Sequence, residues 1–132
     1  MGTMSQTISD RFKWAVQALA QPSCVQLSLF PSFAEVADEL ALEHEETQAA
    51  FLAQEKGLSV DQYAAIADLD GQLARMSGPE NAKVYWTVEA LDAAPEWAEV
   101  RLLAHRVLDA MGWQHVAPPL DRGALFASAP EL

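Results

Sequence analysis

Residues 32–57 read SFAEVADELALEHEETQAAFLAQEKG, and the periodicity of this stretch decides the fold. Advanced at about 100° per residue, it is one long amphipathic helix. Phe33, Val36, Ala37, Leu40, His44, Thr47, Gln48 and Phe51 gather on one side. Glu35, Asp38, Glu39, Glu43, Glu45 and Glu46 take the other, with no cation among them. Ser32-Phe33-Ala34-Glu35 has the spacing of a capping box, in which hydroxyl and carboxylate reciprocally satisfy backbone donors. Lys56 then lies at the negative end of the helix dipole, and Gly57 is expected as its left-handed stop.

A second capping box, Ser59-Val60-Asp61-Gln62, follows at once, so the chain is expected to turn back as an antiparallel helical hairpin. Its second arm, from Val60 to about Met76, carries Tyr63, Ile66, Leu69, Leu73 and Met76 on one stripe. Gly71 weakens that arm by about 1 kcal/mol relative to alanine. Toward the N-terminus, Ile8, Phe12, Ala15 and Leu19 mark a helix over residues 7–20, closed by Pro22. Cys24–Phe30 alternates enough for a short strand, but a strand without a partner is no more stable than an extended connector. Toward the C-terminus, Thr87 caps a short helix from Val88 to about Asp92. Pro95 opens a longer one lined by Trp97, Val100, Ala104, Val107, Leu108 and Met111, which Gly112 ends. The fold class is all-α: a small antiparallel bundle of four or five helices. Residues 1–112 form the helical domain and 113–132 an irregular C-terminal tail of the same domain, packed by Trp113 and Phe126.

The chain of 132 residues is the size of one domain and long enough to bury its own core. Cys24 is the single cysteine, so no internal disulfide forms. No apolar run approaches a membrane span and no basic-then-apolar leader opens the sequence. The expectation is a soluble, cytoplasmic protein. Net charge is −11, distributed as +1 over residues 1–30, −9 over 31–70 and −3 over 71–132. A negative field of that kind repels phosphate backbones and anionic lipid and accelerates encounter with basic proteins. Nucleic acid and membrane are therefore excluded as partners first.

Catalytic chemistry finds little support. His44 follows Ala41, and His105 follows Leu102, at the spacing where a di-iron bundle needs glutamate, so no metal or cofactor is expected. His44 reads as a packed histidine rather than a ligand, and His105 and Asp109 can pair at i and i+4. Cys24 has no cation nearby to activate it. Phosphate-binding and nucleophile-elbow glycine motifs are missing. No catalytic residue is assigned.

Surfaces remain. Solvated helices usually interleave lysine or arginine at i+4; this one stacks Glu35–Glu39 and Glu39–Glu43, at a small cost per pair. Leu42 falls near the middle of the acidic face, as an apolar anchor inside a charged rim would. Glu35, Asp38, Glu39, Leu42, Glu43 and Glu46 are thus the candidate site for a basic protein partner, weighed against a merely solvated face. Two rival readings stand beside it. One is a structural homo-oligomer joined through Trp97, Trp113 and Phe126. The other is a small-molecule or enzyme pocket near Trp86, Trp97, Arg101 and His105, with Arg101 one turn beyond Trp97.

Four strings carry a family resemblance: Phe30-Pro31-Ser32-Phe33 with Ala37-Asp38-Glu39-Leu40-Ala41-Leu42, Met76-Ser77-Gly78, Trp86-Thr87-Val88-Glu89-Ala90-Leu91, and Trp97-Ala98-Glu99-Val100-Arg101-Leu102-Leu103-Ala104. In that order they resemble a group of short uncharacterised bacterial proteins, some of them similar to immunity proteins of polymorphic toxin systems. The resemblance covers roughly residues 27–113, is compositional, and transfers no catalytic residue. It implies a small acidic helical protein that acts by stoichiometric binding.

Overall fold

The computed structural model describes residues 2–32 and 34–122, with the backbone alone for 2–6. Phe33 and Phe126 therefore lie outside the described residues. Among those described, the regular structure is all helical: α1 (Gly2–Ala20), α2 (Ser23–Ser28), α3 (Val36–Gln54), α4 (Val60–Arg75), a 3-10 turn (Pro79–Asn81), α5 (Ala82–Tyr85), α6 (Val88–Ala93) and α7 (Pro95–Met111).

The local signals divide sharply into those that formed and those that did not. At α4 both halves of the Ser59–Gln62 box are present. Gln62 N donates to Ser59 Oγ at 3.1 Å and Ser59 N to Gln62 Oε1 at 2.9 Å. Thr87 Oγ1 accepts from Ala90 N at 3.0 Å, and Pro95 occupies the first turn of α7. Gly112 adopts φ 72°, which lets Trp113 N reach back to Leu108 O at 2.9 Å. A Cβ at Gly112 would meet nothing within 4 Å, so only backbone strain opposes a side chain. Gly112→Ala should accordingly cost about 1–2 kcal/mol, measured by urea unfolding.

The signals around α3 did not form. The helix begins at Val36, with Glu35 at the cap position and no side-chain cap. Ala34 N instead donates to Pro31 O at 3.0 Å, so Ser32 sits inside a turn rather than at a helix start. The far end stops at Gln54, with an extended Glu55, and among the described glycines only Gly78 and Gly112 have positive φ. Gly57 is therefore not the stop. Five residues, 55–59, separate α3 from α4. The expected hairpin is corrected as well: α3 packs mainly on α1, α1 also on α7, and α7 on α4, with no close packing along the length of α3 and α4.

Cys24–Phe30, read as strand or connector, is largely helix α2. The reason is Gln26, whose buried amide donates to Ala18 O and Leu19 O, both at 3.1 Å. Those carbonyls lie in the last turn of α1, where Ala18 O takes only a long bond from Gln21 N at 3.3 Å, and satisfying them draws α2 back against α1. The core runs through Phe12, Val16 and Leu19 of α1, Leu40 and Phe51 of α3, Ile66 and Leu69 of α4, and Trp97, Val100 and Leu108 of α7. Residues 113–122 are irregular, as expected, but fastened down. Trp113 meets the Phe12 and Phe51 rings edge-on at 5.9 and 6.2 Å, and Gln17 Nε2 donates to Gln114 O at 2.9 Å.

Candidate functional site

Six residues of α3 and its approach were expected to form one exposed acidic patch. Five are accessible to differing degrees, and one is not. Glu35, Asp38, Leu42 and Glu46 are exposed, and Glu39 is half-buried. Leu42 is 47 % exposed. Among the described residues, no lysine, arginine or histidine comes within ion-pair distance of Glu35, Asp38, Glu39 or Glu46. Glu46 does share a shallow hollow with Arg11, without pairing. Asp38 feels the crowding: partial burial and the Glu35 charge hold its carboxyl above the usual range.

Glu43 is the correction. It is only 3 % exposed, and its Oε2 accepts from Arg122 Nε and Nη2, both at 3.3 Å. Arg122 is itself buried. It also donates to Pro119 O at 3.0 Å and Leu29 O at 3.5 Å, and lies 5.2 Å from the centre of the Phe30 ring. The helical wheel explains the misplacement. Glu43 falls about 80° from the Phe33 direction, a boundary position within reach of a strap crossing from the C-terminal side. Burial pushes the Glu43 carboxyl up, and Arg122 opposes that shift without cancelling it.

Beside the patch, α3 and α4 face one another across a cleft. One part, about 330 Å³, is lined by Ala41, His44 and Glu45 of α3, Asp70, Leu73 and Ala74 of α4, and Ser77 and Trp86. An adjoining part, about 390 Å³, shares Ala41, Glu45, Ser77 and Trp86 and extends to Asp38 and Leu42. Leu42 thus stands at the mouth of a cleft whose ionised lining is acidic. His44 belongs to its wall. It is 1 % exposed, its Nε2 has no hydrogen-bond partner, and burial lowers its pKa from 6.5 to about 4, with the Asp70 charge opposing. Asp70 was missed in the sequence; its signal is a boundary place beside Leu69 and one turn before Leu73.

Of the four residues grouped as a pocket, Trp86 and Trp97 meet edge-on with ring centroids 5.4 Å apart, while Arg101 and His105 are engaged elsewhere. Trp97 is 0 % exposed in the core, its Nε1 donating to Tyr85 O at 2.7 Å. Arg101 is fixed by carbonyls: its Nε donates to Gln21 O at 3.0 Å, and its Nη2 to Leu91 O and to Gln26 Oε1. Those bonds join α7 to α6 and to the α1–α2 turn, leaving Arg101 a structural clamp rather than an anion site. Burial lowers its pKa, which Asp92 opposes. His105 points elsewhere, its Nδ1 2.6 Å from His115 Nδ1, while His115 Nε2 is 2.7 Å from Asp109 Oδ1. The two imidazole planes differ by 9° and their centroids are 4.8 Å apart, so the rings meet edge to edge rather than face to face. That spacing fits one hydrogen bond between the two ring nitrogens, with the donor set by the tautomer. Asp109 therefore reaches His105 through His115, not directly. Of the four, only Trp86 lines the cleft, its Nε1 donating to Met76 O at 2.8 Å.

Burial of Trp97 also removes it from any symmetric contact between copies, and Trp113 is partly covered by its own core. No described helix is long and apolar enough to cross a membrane. No family model matches the chain, and neither a curated protein nor a solved structure is similar enough to match it.

Proposed function

We propose that this chain is a non-catalytic acidic binding protein that captures a basic protein partner on α3 and the adjoining cleft. The observation that supports the reading is Leu42, exposed at the mouth of the cleft between Asp38 and Glu45. Neither carboxylate has an intrachain ion-pair partner among the described residues. Carboxylates left unpaired cost little while solvated and raise the encounter rate with a positive surface. An exposed leucine within them offers the desolvated contact that a charged rim alone does not provide. In its concrete form the protein works in the cytoplasm as an immunity-type inhibitor of a bacterial toxin, with its helices forming an antiparallel bundle.

The test is affinity capture from the native cell at low salt and again at high salt, with the captured proteins identified. A dominant basic protein, lost at high salt, is the expected result. The Asp38→Lys, Glu39→Lys, Glu46→Lys triple variant should slow association with that protein by about tenfold or more without unfolding the chain. Unchanged association by the triple variant would overturn the site, and capture insensitive to salt would overturn the electrostatic mechanism.

A further inference from the structure

The strap of residues 113–122 has no regular structure, so a few side chains decide how it is held. Trp113 packs at its start and Arg122 is buried at its end. Between them the ionisable fastening is His115, with Nε2 2.7 Å from Asp109 Oδ1 and Nδ1 2.6 Å from His105 Nδ1. An ionised carboxylate only accepts, so His115 Nε2 carries the proton in the first contact. A neutral His115 then has a lone pair on Nδ1, and His105 must donate to it from its own Nδ1. The order of donors is fixed from Asp109 outward. The acceptor left over is His105 Nε2, which no described residue bonds.

Protons added to this arrangement act in two opposite ways. Imidazole is the side chain that ordinarily changes charge between about pH 5 and pH 8. A first added proton enters at His105 Nε2 and leaves both contacts whole, while the bond to His115 becomes charge-assisted and stronger. A second has only His115 Nδ1 to occupy. It sets two N–H donors and two positive charges head-on in nearly coplanar rings, and the bond is lost. Other charges flank the pair. On α7, Arg101, one turn before His105, is held by carbonyls, and Arg106 is exposed. On α1, Gln17 holds Gln114 O, and Lys13, one turn earlier, pairs with Asp10 at 3.7 Å. On α4, Asp61 adjoins Gln62, whose amide donates to Ala110 O, and on α6, Asp92 accepts from Ser23. The strap has no ionisable group between His115 and Asp121.

We propose that Asp109, His115 and His105 form a proton-counting clasp on the strap, which holds with neutral rings, tightens with one added proton and opens when both rings are charged. What opens is the middle of the strap, residues 115–117, because Trp113 and Arg122 retain the two ends. Glu43 at the far end does not assist the opening: its raised pKa means that added protons favour the buried state. The clasp stands apart from the partner reading, since none of its three residues lies on α3.

The experiment is 15N–1H NMR of the full chain, from pH 8 down to the point where both rings read as charged. It follows the imidazole nitrogens and the amide exchange of His115, Val116 and Ala117. At pH 8, His115 is expected with the proton on Nε2 and His105 with the proton on Nδ1. Protection at 115–117, corrected for the intrinsic exchange rate, should hold or rise with the first proton and fall about tenfold with the second. In His105→Leu that acid fall should disappear, because a charged His115 still pairs with Asp109. In Asp109→Ala, an exposed change, His105 should lose its preference for the Nδ1 proton. A His105 that carries its proton on Nε2 in the wild type at pH 8 would overturn the clasp. So would an acid fall equal in His105→Leu and wild type, protection that ring charge leaves unchanged, or a His105 tautomer indifferent to Asp109→Ala.

Discussion

Arg122→Met should destabilise the protein by about 3–5 kcal/mol at neutral pH, although position 122 lies beyond every described helix. The residue is 2 % exposed and its guanidinium is the cation paired with Glu43. Methionine fills a similar volume but leaves a carboxylate inside the protein with neither charge partner nor donor from that side. Glu43 Oε1 already has no hydrogen-bond partner, so the remaining oxygen cannot borrow one from it. The cost is limited by protonation, and the sign follows from the direction of the shift. Burial holds the Glu43 pKa above its ordinary 4.5, so the folded state binds the proton more tightly than the unfolded state. Stability from this group is fully present below pH 4.5 and declines as pH rises through the folded pKa. Removing Arg122 takes away both the attraction and the hydrogen bonds that lower that pKa, so the penalty grows with pH. Urea unfolding at pH 5 and pH 8 reads it, and a loss under about 1 kcal/mol at pH 8 would show that the pair is solvated. The double variant Glu43→Leu, Arg122→Met removes both charges and should be neutral or more stable by about 1–4 kcal/mol.

That pair also shows where sequence reading stops. Helix signals that depend on neighbours within one turn were legible: the Ser59–Gln62 box, the Thr87 cap, Pro95 at the head of α7 and Gly112 at its tail. Each is a local exchange of hydrogen bonds that tertiary packing has no reason to disturb. The Ser32–Glu35 box has the same spacing, yet Pro31 begins a turn that captures Ala34 N and moves the helix start to Val36. Pairings between distant positions carry no local signal. Nothing near Glu43 announces Arg122, and nothing near Cys24–Ser28 announces that Gln26 will cover the end of α1. The wheel placed Glu35, Asp38, Leu42 and Glu46 outward, where they are, because they lie well away from the apolar direction. It failed for Glu43 at the boundary. The cleft was illegible for a related reason: it exists because α3 packs on α1 and α4 on α7, and helix order along the chain suggested instead that α3 and α4 would close on each other.

Acidification should expose His44 as the second large contributor. Its pKa falls from 6.5 to about 4 on folding, so between those values the unfolded chain binds a proton that the folded chain refuses. The stability contributed by the neutral buried ring is therefore fully present above pH 6.5, lost progressively as pH falls, and gone near pH 4. A shift of that size corresponds to roughly 3 kcal/mol. Glu43 acts in the opposite sense over the upper part of this window, since its raised pKa makes the fold less stable as pH rises above 4.5. The measurement must therefore be a difference between wild type and His44→Leu, in which the Glu43 contribution largely cancels. His44→Leu should be equal to wild type or more stable at neutral pH, because it removes an unpartnered polar atom worth about 1–3 kcal/mol. It should then gain a further 3 kcal/mol or so relative to wild type on descending to pH 4. Parallel stability curves for the two proteins between pH 7 and pH 4 would mean that folding leaves the imidazole pKa unshifted.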